Sequence, residues 1–219
     1  MSDSSPRPYR SELRARQAGE TRRRIVLAAA EQFAESGYAR TTLKKIAERA
    51  GVALETVQAH GPKAALMRAA TELLGLGVEG TDDVTDLPEV SALLALPPGQ
   101  FAEAVGPWLL SIHRPVAGLI DALVGGAAHD PELADYYRAI TLSIRDNWSL
   151  AYDLDLARGW VRTDRARNDV VDVWCMAASP ETYMRFTSFY GWTDEQYVAW
   201  LTTAYRDIWL GPLSTTDPA

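Results

Sequence analysis

A single cysteine, Cys175, stands in the 219 residues, so no intramolecular disulfide framework can form. Its neighbours Trp174, Met176 and Ala177 describe an inert core thiol rather than a sensor. Histidine is as scarce. His60, His113 and His129 lie far apart, and none has a partner at metal-ligand spacing. No apolar run reaches the ~20 residues needed to span a bilayer, and the N-terminus is polar and arginine-rich, without a signal-peptide core. HExxH, GxSxG, paired cysteines and a Gly-rich phosphate loop are all missing. Asp153 and Asp155 are two apart, so on a helix they point different ways. These absences argue against an enzyme, a metal, a cofactor and a membrane partner, and they lead us to expect a cytoplasmic protein. No strand-period alternation persists anywhere, so the expected fold class is all-α.

Lysine is scarce too, but its placement is informative. Lys44, Lys45 and Lys63 all fall in the first third of the chain. Residues 1–72 hold 13 Lys+Arg against 8 Asp+Glu, a net of +5, whereas residues 73–219 hold 9 against 21, a net of −12. The overall charge of −7 therefore hides a basic head on an acidic body. Nucleic-acid binding is decided by the local face that meets the phosphates, not by the average.

Within that head, Thr41–Met67 reads TTLKKIAERAGVALETVQAHGPKAALM. Leu43, Ile46, Ala47 and Ala50 fall at i, i+3, i+4 and i+7, the apolar face of a short helix. Thr41 or Thr42 can cap its start, and Gly51 supplies the left-handed exit. A second short helix is expected at about Ala53–His60, which makes a helix–turn–helix whose second helix fits the DNA major groove. Upstream, a helix over Glu20–Gly37 presents Ile25, Ala29 and Phe33 four residues apart, able to pack across the hairpin. Before it lies an arm bearing Arg7, Arg10, Arg14, Arg16 and, into the helix, Arg22, Arg23 and Arg24.

The run ETRRRIVLAAAEQFAESGYARTTLKKIAERAGV resembles the N-terminal domain of the tetracycline-repressor-like (TetR) transcriptional regulators. The resemblance is continuous over about Thr21–Gly51, and the SPETYMRFTSFYGWTDEQYVAWL run at Ser179–Leu201 resembles the C-terminal region of many members. It implies a three-helix helix–turn–helix DNA-binding domain joined to a C-terminal helical ligand-binding and dimerisation domain. The expected divisions are a basic arm at 1–19, the DNA-binding domain at 20–72 and the effector and dimer domain at 73–219. Residue by residue, the expected DNA contacts are Thr42, Lys44, Leu54, Glu55, Thr56, Gln58, His60 and Lys63. Gln58 has the groups to read adenine, and Glu55 those to accept from cytosine N4. Two departures stand out. Glu55 occupies a position where members usually carry a small or neutral residue. His60-Gly61-Pro62-Lys63 makes the linking turn one residue short and removes its apolar anchor.

The body reads as helices separated by turn signals. Helices are expected at Gln100–Ile112, from Pro115 to Gly125-Gly126, from Asp130-Pro131-Glu132 to about Arg158, and at Asp164–Ala178, Pro180–Tyr190 and Thr193–Leu210. Gly75–Pro88, rich in Gly, Thr and Asp, is the expected linker or irregular helix end. Trp108, Tyr136, Tyr137, Trp148, Tyr152 and Trp174 crowd the central helices; each is core or the wall of an apolar cavity. With the resemblance, Trp108, His113, Tyr137, Arg145, Trp148, Tyr152 and Trp174 become the candidate ligand residues. The same resemblance makes Phe186, Phe189, Tyr197, Trp200, Ala204 and Ile208 the candidate dimer interface.

The reading is a homodimeric regulator, a repressor, that binds a double-stranded, pseudo-palindromic DNA operator and is released by a small apolar or aromatic effector. An alternative is a helical ligand-binding or interaction protein whose headpiece has lost operator binding. An enzyme with a site assembled from distant helices comes third.

Overall fold

The computed structural model describes residues 7–80 and 87–210, with side chains from residue 14 onward. Residues 81–86 of the expected linker lie outside the described residues, as do the side chains of Arg7 and Arg10. Ten α-helices and no strand occur among the described residues. They are α1 (Arg7–Arg40), α2 (Leu43–Ala50), α3 (Leu54–Gln58), α4 (Lys63–Leu76) and α5 (Pro88–Leu94). After these come α6 (Pro98–Ala127), α7 (Pro131–Ala157), α8 (Arg167–Ala177), α9 (Pro180–Met184) and α10 (Asp194–Tyr205). Both α9 and α10 run on into a π-helical turn, Arg185–Phe189 and Arg206–Leu210.

The caps explain why several helices begin where they do. Thr42 accepts from the Lys45 amide at 3.2 Å, and Gly51 closes α2 in the left-handed region at φ 63. Asp130 caps α7 by accepting from the Glu132 and Leu133 amides, with Pro131 in the first turn. Ser179 caps α9, and Thr193 with Gln196 forms a capping box at the start of α10.

Three expectations need correction. The first helix starts at Arg7, not Glu20, and every side chain from Arg14 to Glu20 is exposed, so the basic arm is a helical extension. Helix α5 was not expected at all; Pro88 opens it, and Val90 and Leu93 bury its inner face. The helices expected on either side of Pro115 are one 30-residue helix that also contains Pro107. A proline inside a helix deprives the carbonyl four residues earlier of its donor and costs ~3 kcal/mol or more. The carbonyls concerned belong to Glu103 and Ser111, both exposed, where water can serve them. Burial along the whole helix outweighs that cost.

That burial also explains the architecture. Phe101, Ala102, Val105 and Leu109 of α6 enter one core with Trp148, Tyr152, Val171, Trp174, Tyr197, Leu201, Tyr205 and Trp209. Val116, Leu119, Ile120 and Leu123 enter the other, with Ile25, Phe33, Ile46, Val57, Leu66 and Met67. The headpiece core therefore runs on into α6, and α6 is the beam common to both cores. Small residues allow the crossings. A Cβ on Gly118 would stand 3.0 Å from Ala34 Cβ, and one on Gly106 would stand 3.0 Å from the Val198 carbonyl oxygen.

Candidate nucleic-acid interface and ligand site

In the headpiece, α2 and α3 stand on α1 through Ile46, Ala47, Ala50 and Val57, all buried. Arg49 ties α2 back to α1 by pairing with Glu35 and lies 3.6 Å from Glu31. Buried Thr41 donates to the Gly37 carbonyl at 2.8 Å and closes the end of α1. The second hairpin helix is shorter than expected. It covers Leu54–Gln58, and a turn takes the chain through Ala59, His60 and Gly61, the last at φ 115. The left-handed glycine makes the shortened link to α4 possible, since an L side chain is strained at that φ.

The predicted DNA contacts divide into three groups. Thr42, Lys44, Glu55 and Gln58 are exposed on the outer surface of the hairpin. Glu55 has no ion-pair partner among the described residues, while the Lys44 ammonium lies 3.9 Å from Glu48. Thr56 and His60 are half-buried, and Leu54 packs against the headpiece core. Lys63 turns inward: its ammonium donates to the Tyr38 and Thr41 carbonyls at 2.9 and 3.2 Å and sits 4.0 Å over the Tyr38 ring. Burial lowers its pKa below the usual lysine value, and Asp130 opposes that shift. Lys63 thus holds the end of α1 rather than reaching outward. Exposed Arg14, Arg16, Arg23, Arg24, Arg40 and Lys45 complete the basic surface, which sequence reasoning found through its arginine count.

The joint between head and body is compact. Tyr38 donates to Asp130 at 2.6 Å, so one carboxylate caps α7 and anchors the end of α1. Its hydrogen bond with Tyr38 holds the Asp130 pKa below the ordinary aspartate value against a desolvation that raises it. Beside it Gly126 lets the Tyr38 ring and Leu133 close in; a Cβ there would come within 2.8 Å of both.

In the body, Trp148 meets Trp174 and Trp209 edge-on at 5.5 and 5.8 Å, and Tyr152 meets Trp209 at 5.3 Å. Trp108 joins the edge of this cluster, 6.5 Å from Trp148. The structure therefore brings Trp108, Trp148, Tyr152 and Trp174 together, as core. It does not bring the other three candidates to them. Arg145 pairs with Asp172 at 2.5 Å on the outer surface of α7 and α8. Tyr137 donates to Glu181 at 2.8 Å. His113 is buried beside Tyr197, with its Nδ1 3.0 Å from the hydroxyl, and burial drives its imidazole down to about 3. Cys175 is half-buried, and burial pushes its thiol up to about 11, which suits an inert thiol.

A small cavity adjoins the aromatic cluster, about 10 Å³ in volume and large enough for one water. Phe101, Trp148, Tyr205 and Trp209 line it together with Trp160 and Asp155, beneath Leu94, Leu96 and Pro98. Sequence reading had placed Asp153 and Asp155 on different sides of one helix, and the structure agrees. Asp153 pairs outward with Arg167 at 2.6 Å, while Asp155 turns in to accept from the Trp209 indole at 3.0 Å.

The candidate dimer residues are also redistributed. Tyr197 and Ala204 are buried in the chain's own core, out of reach of a partner; Phe186, Trp200 and Ile208 are half-buried. Phe189 is 75% exposed. The sequence reading missed a second apolar surface: Leu142, Leu150 and Leu154 of α7 with Val173 and Met176 of α8, all exposed. The helical spacing of 142, 150 and 154 puts these leucines on one stripe.

Comparison with known proteins follows the same division. Residues 25–70 match the family model described as bacterial regulatory proteins, tetR family. No curated protein matches the chain. Among solved structures, a protein from Syntrophomonas wolfei described as a TetR-family transcriptional regulator superposes with TM-score 0.70 at 12% identity, over 90% of this chain and 99% of that one. A transcriptional regulator from Saccharomonospora viridis in complex with choline gives TM-score 0.67 at 15% identity, over 88% and 98%. A transcriptional regulator from Rhodococcus sp. Rha1 gives 0.62 at 20% identity, over 85% and 95%. At such identities the superpositions show the fold. The chain is thus similar in fold to these regulators along most of its length, and similar to the tetR family model over residues 25–70 of the headpiece.

Proposed function

We propose that this chain is a TetR-family, ligand-responsive transcriptional regulator, a cytoplasmic repressor that binds a pseudo-palindromic operator as a homodimer and is released by a small molecule. The observation that carries this reading is the α2–α3 hairpin standing on a core that continues into α6. The hairpin presents Thr42, Lys44, Glu55 and Gln58 outward, beside the exposed arginines of α1. A ligand that shifts α6 or α7 in the body moves the support of the headpiece, through the shared core and through the Tyr38–Asp130 bond. By linkage, a ligand and an operator that prefer different positions of the heads weaken each other's binding equally. The Saccharomonospora relative, described in complex with choline, supports a ligand site in this fold.

Dimerisation would use the exposed α7–α8 surface with Phe189, not Tyr197 and Ala204. Two-fold symmetry then sets the two α3 helices about one DNA turn apart, roughly 34–36 Å for this motif class. A second reading, a ligand-binding protein without operator binding, is favoured by the exposed carboxylate of Glu55 and by the inward turn of Lys63. A mobility-shift titration of the full-length protein on enriched duplexes, across salt concentrations, separates the two. The regulator binds with an affinity that falls steeply as salt rises. Absence of binding to any enriched duplex in low salt leaves the second reading.

A further inference from the structure

The small cavity beside the aromatic cluster is unusual in its chemistry. Five of the residues that line it are aromatic, Phe101, Trp148, Trp160, Tyr205 and Trp209, and the one charged residue among the lining is Asp155. Aromatic faces carry negative potential, so ring walls around a carboxylate make a place for a cation. The Asp155 side chain is 18% exposed. Burial raises its pKa, against the lowering effect of the Trp209 indole and of Arg158, so the carboxylate lacks full compensation.

The chain already puts a cation of its own at the rim. The Arg158 guanidinium lies 3.7 Å from Asp155 Oδ1 and 4.8 Å over the Trp160 ring, and it donates to the Leu94 carbonyl at 3.4 Å. These contacts are long for an arginine pair, and the side chain is 40% exposed, so it can leave for solvent at small cost. The three residues that Arg158 touches, Asp155, Trp160 and Leu94, all line the cavity, whose volume holds one water.

We propose that the Asp155 box is a site for a small organic cation, such as a quaternary ammonium group, which enters by displacing Arg158 from Asp155 and Trp160. The ligand's charge pairs with Asp155, its methyl groups face the rings, and the α5–α6 connection carrying Leu94, Leu96 and Pro98 moves outward to admit it. This rests on the reading of the body as an effector domain and gives that effector its charge. A neutral apolar molecule that displaced Arg158 would leave the carboxylate with the Trp209 indole but no cation to balance its charge, which disfavours it.

The test is calorimetry and tryptophan fluorescence on the full-length protein, with tetramethylammonium and tetraethylammonium chloride as probes. Sodium chloride controls for ionic strength, and tert-butanol supplies similar apolar bulk without charge. Saturable binding of the ammonium ions and none of tert-butanol is expected. Asp155→Asn, which keeps an acceptor for Trp209, should weaken binding by about tenfold or more, the loss of one partly buried charge pairing. Arg158→Gln, at an exposed position, should tighten it several-fold by removing the internal competitor. A thermal melt of each variant checks its fold. No saturable binding to either the wild type or Arg158→Gln overturns the proposal, as does an equal constant for tert-butanol or for folded Asp155→Asn. Operator release is scored separately. Ammonium ions that bind but leave a DNA complex intact keep the site and remove its role as the effector switch. Release by an uncharged compound, with no ammonium binding, removes the site and keeps the ligand-responsive reading.

Discussion

Gly125 and Gly126 are neighbours near the end of α6, yet alanine should act on them with opposite sign. A Cβ on Gly126 would stand 2.8 Å from Tyr38 Cγ, 2.9 Å from Tyr38 Cδ1 and 2.8 Å from Leu133 Cδ1. The leucine methyl can swing away. The ring cannot, because its hydroxyl is held by Asp130 and its face is covered by Lys63. Overpacking of this kind costs ~1–3 kcal/mol, and replacing a helical glycine returns up to about 1 kcal/mol. The net for Gly126→Ala is a loss of about 1–2 kcal/mol, or a Tm lower by roughly 2–8 °C in a chain of this size. A Cβ on exposed Gly125 meets nothing within 4 Å. Gly125→Ala therefore keeps only the propensity gain of about 0.5–1 kcal/mol, and its Tm should rise by roughly 1–4 °C. Circular-dichroism melts at matched protein concentration check both. Equal shifts, or a rise for Gly126→Ala, would refute the close approach of Tyr38 to α6 and with it the compact joint between head and body.

Other outcomes follow from named contacts. His113→Gln should flatten the pH dependence of stability. The buried imidazole stays neutral down to about 3 while the unfolded chain protonates at its ordinary 6.5, so wild-type stability falls as pH drops through that window. The excess loss in the wild type is roughly 1.4 kcal/mol per pH unit, and denaturant melts that show no such difference would contradict it. Tyr38→Phe should lower the Tm at neutral pH, and the gap should close in acid. The lowered pKa of Asp130 stabilises the fold above the ordinary 3.8 and loses that effect as pH falls through the native value. A gap unchanged in acid would speak against the pair. Leu150→Glu with Met176→Glu should turn a dimer into a folded monomer by light scattering; a persistent dimer would move the interface off α7 and α8. Glu55→Gln should relax selection at one base pair of each half-site, where a mismatch otherwise costs ~1–3 kcal/mol. Uniformly tighter binding with an unchanged motif would mean that Glu55 only repels phosphates.

Local signals made the headpiece legible. Thr42, Gly51 and the 43, 46, 47, 50 face act within one helix, and the structure reproduces each. The caps at Asp130, Ser179 and Thr193 were visible for the same reason. What could not be read were choices decided by distant partners. Pro107 and Pro115 argue for breaks, and only burial in two separate cores keeps α6 whole. Lys63 looked like a phosphate contact, but the carbonyls that claim it come from Tyr38 and Thr41, over twenty residues earlier. Around the small cavity, Trp160, Phe101, Tyr205 and Asp155 meet Trp148 only in three dimensions. Tyr197 and Ala204 lie on a helix with apolar residues on more than one side, and sequence alone does not say which side the chain's own core keeps.

The account's central claim is that this headpiece reads duplex DNA as one half of a symmetric pair. Genomic DNA selected with the full-length protein and then sequenced tests it most directly. We expect one enriched pseudo-palindromic motif, its half-site centres about one helical turn apart, bound with an affinity that falls steeply with salt. Sequencing that returns no enriched motif, from a protein that also fails to retain duplex DNA in low salt, would contradict it.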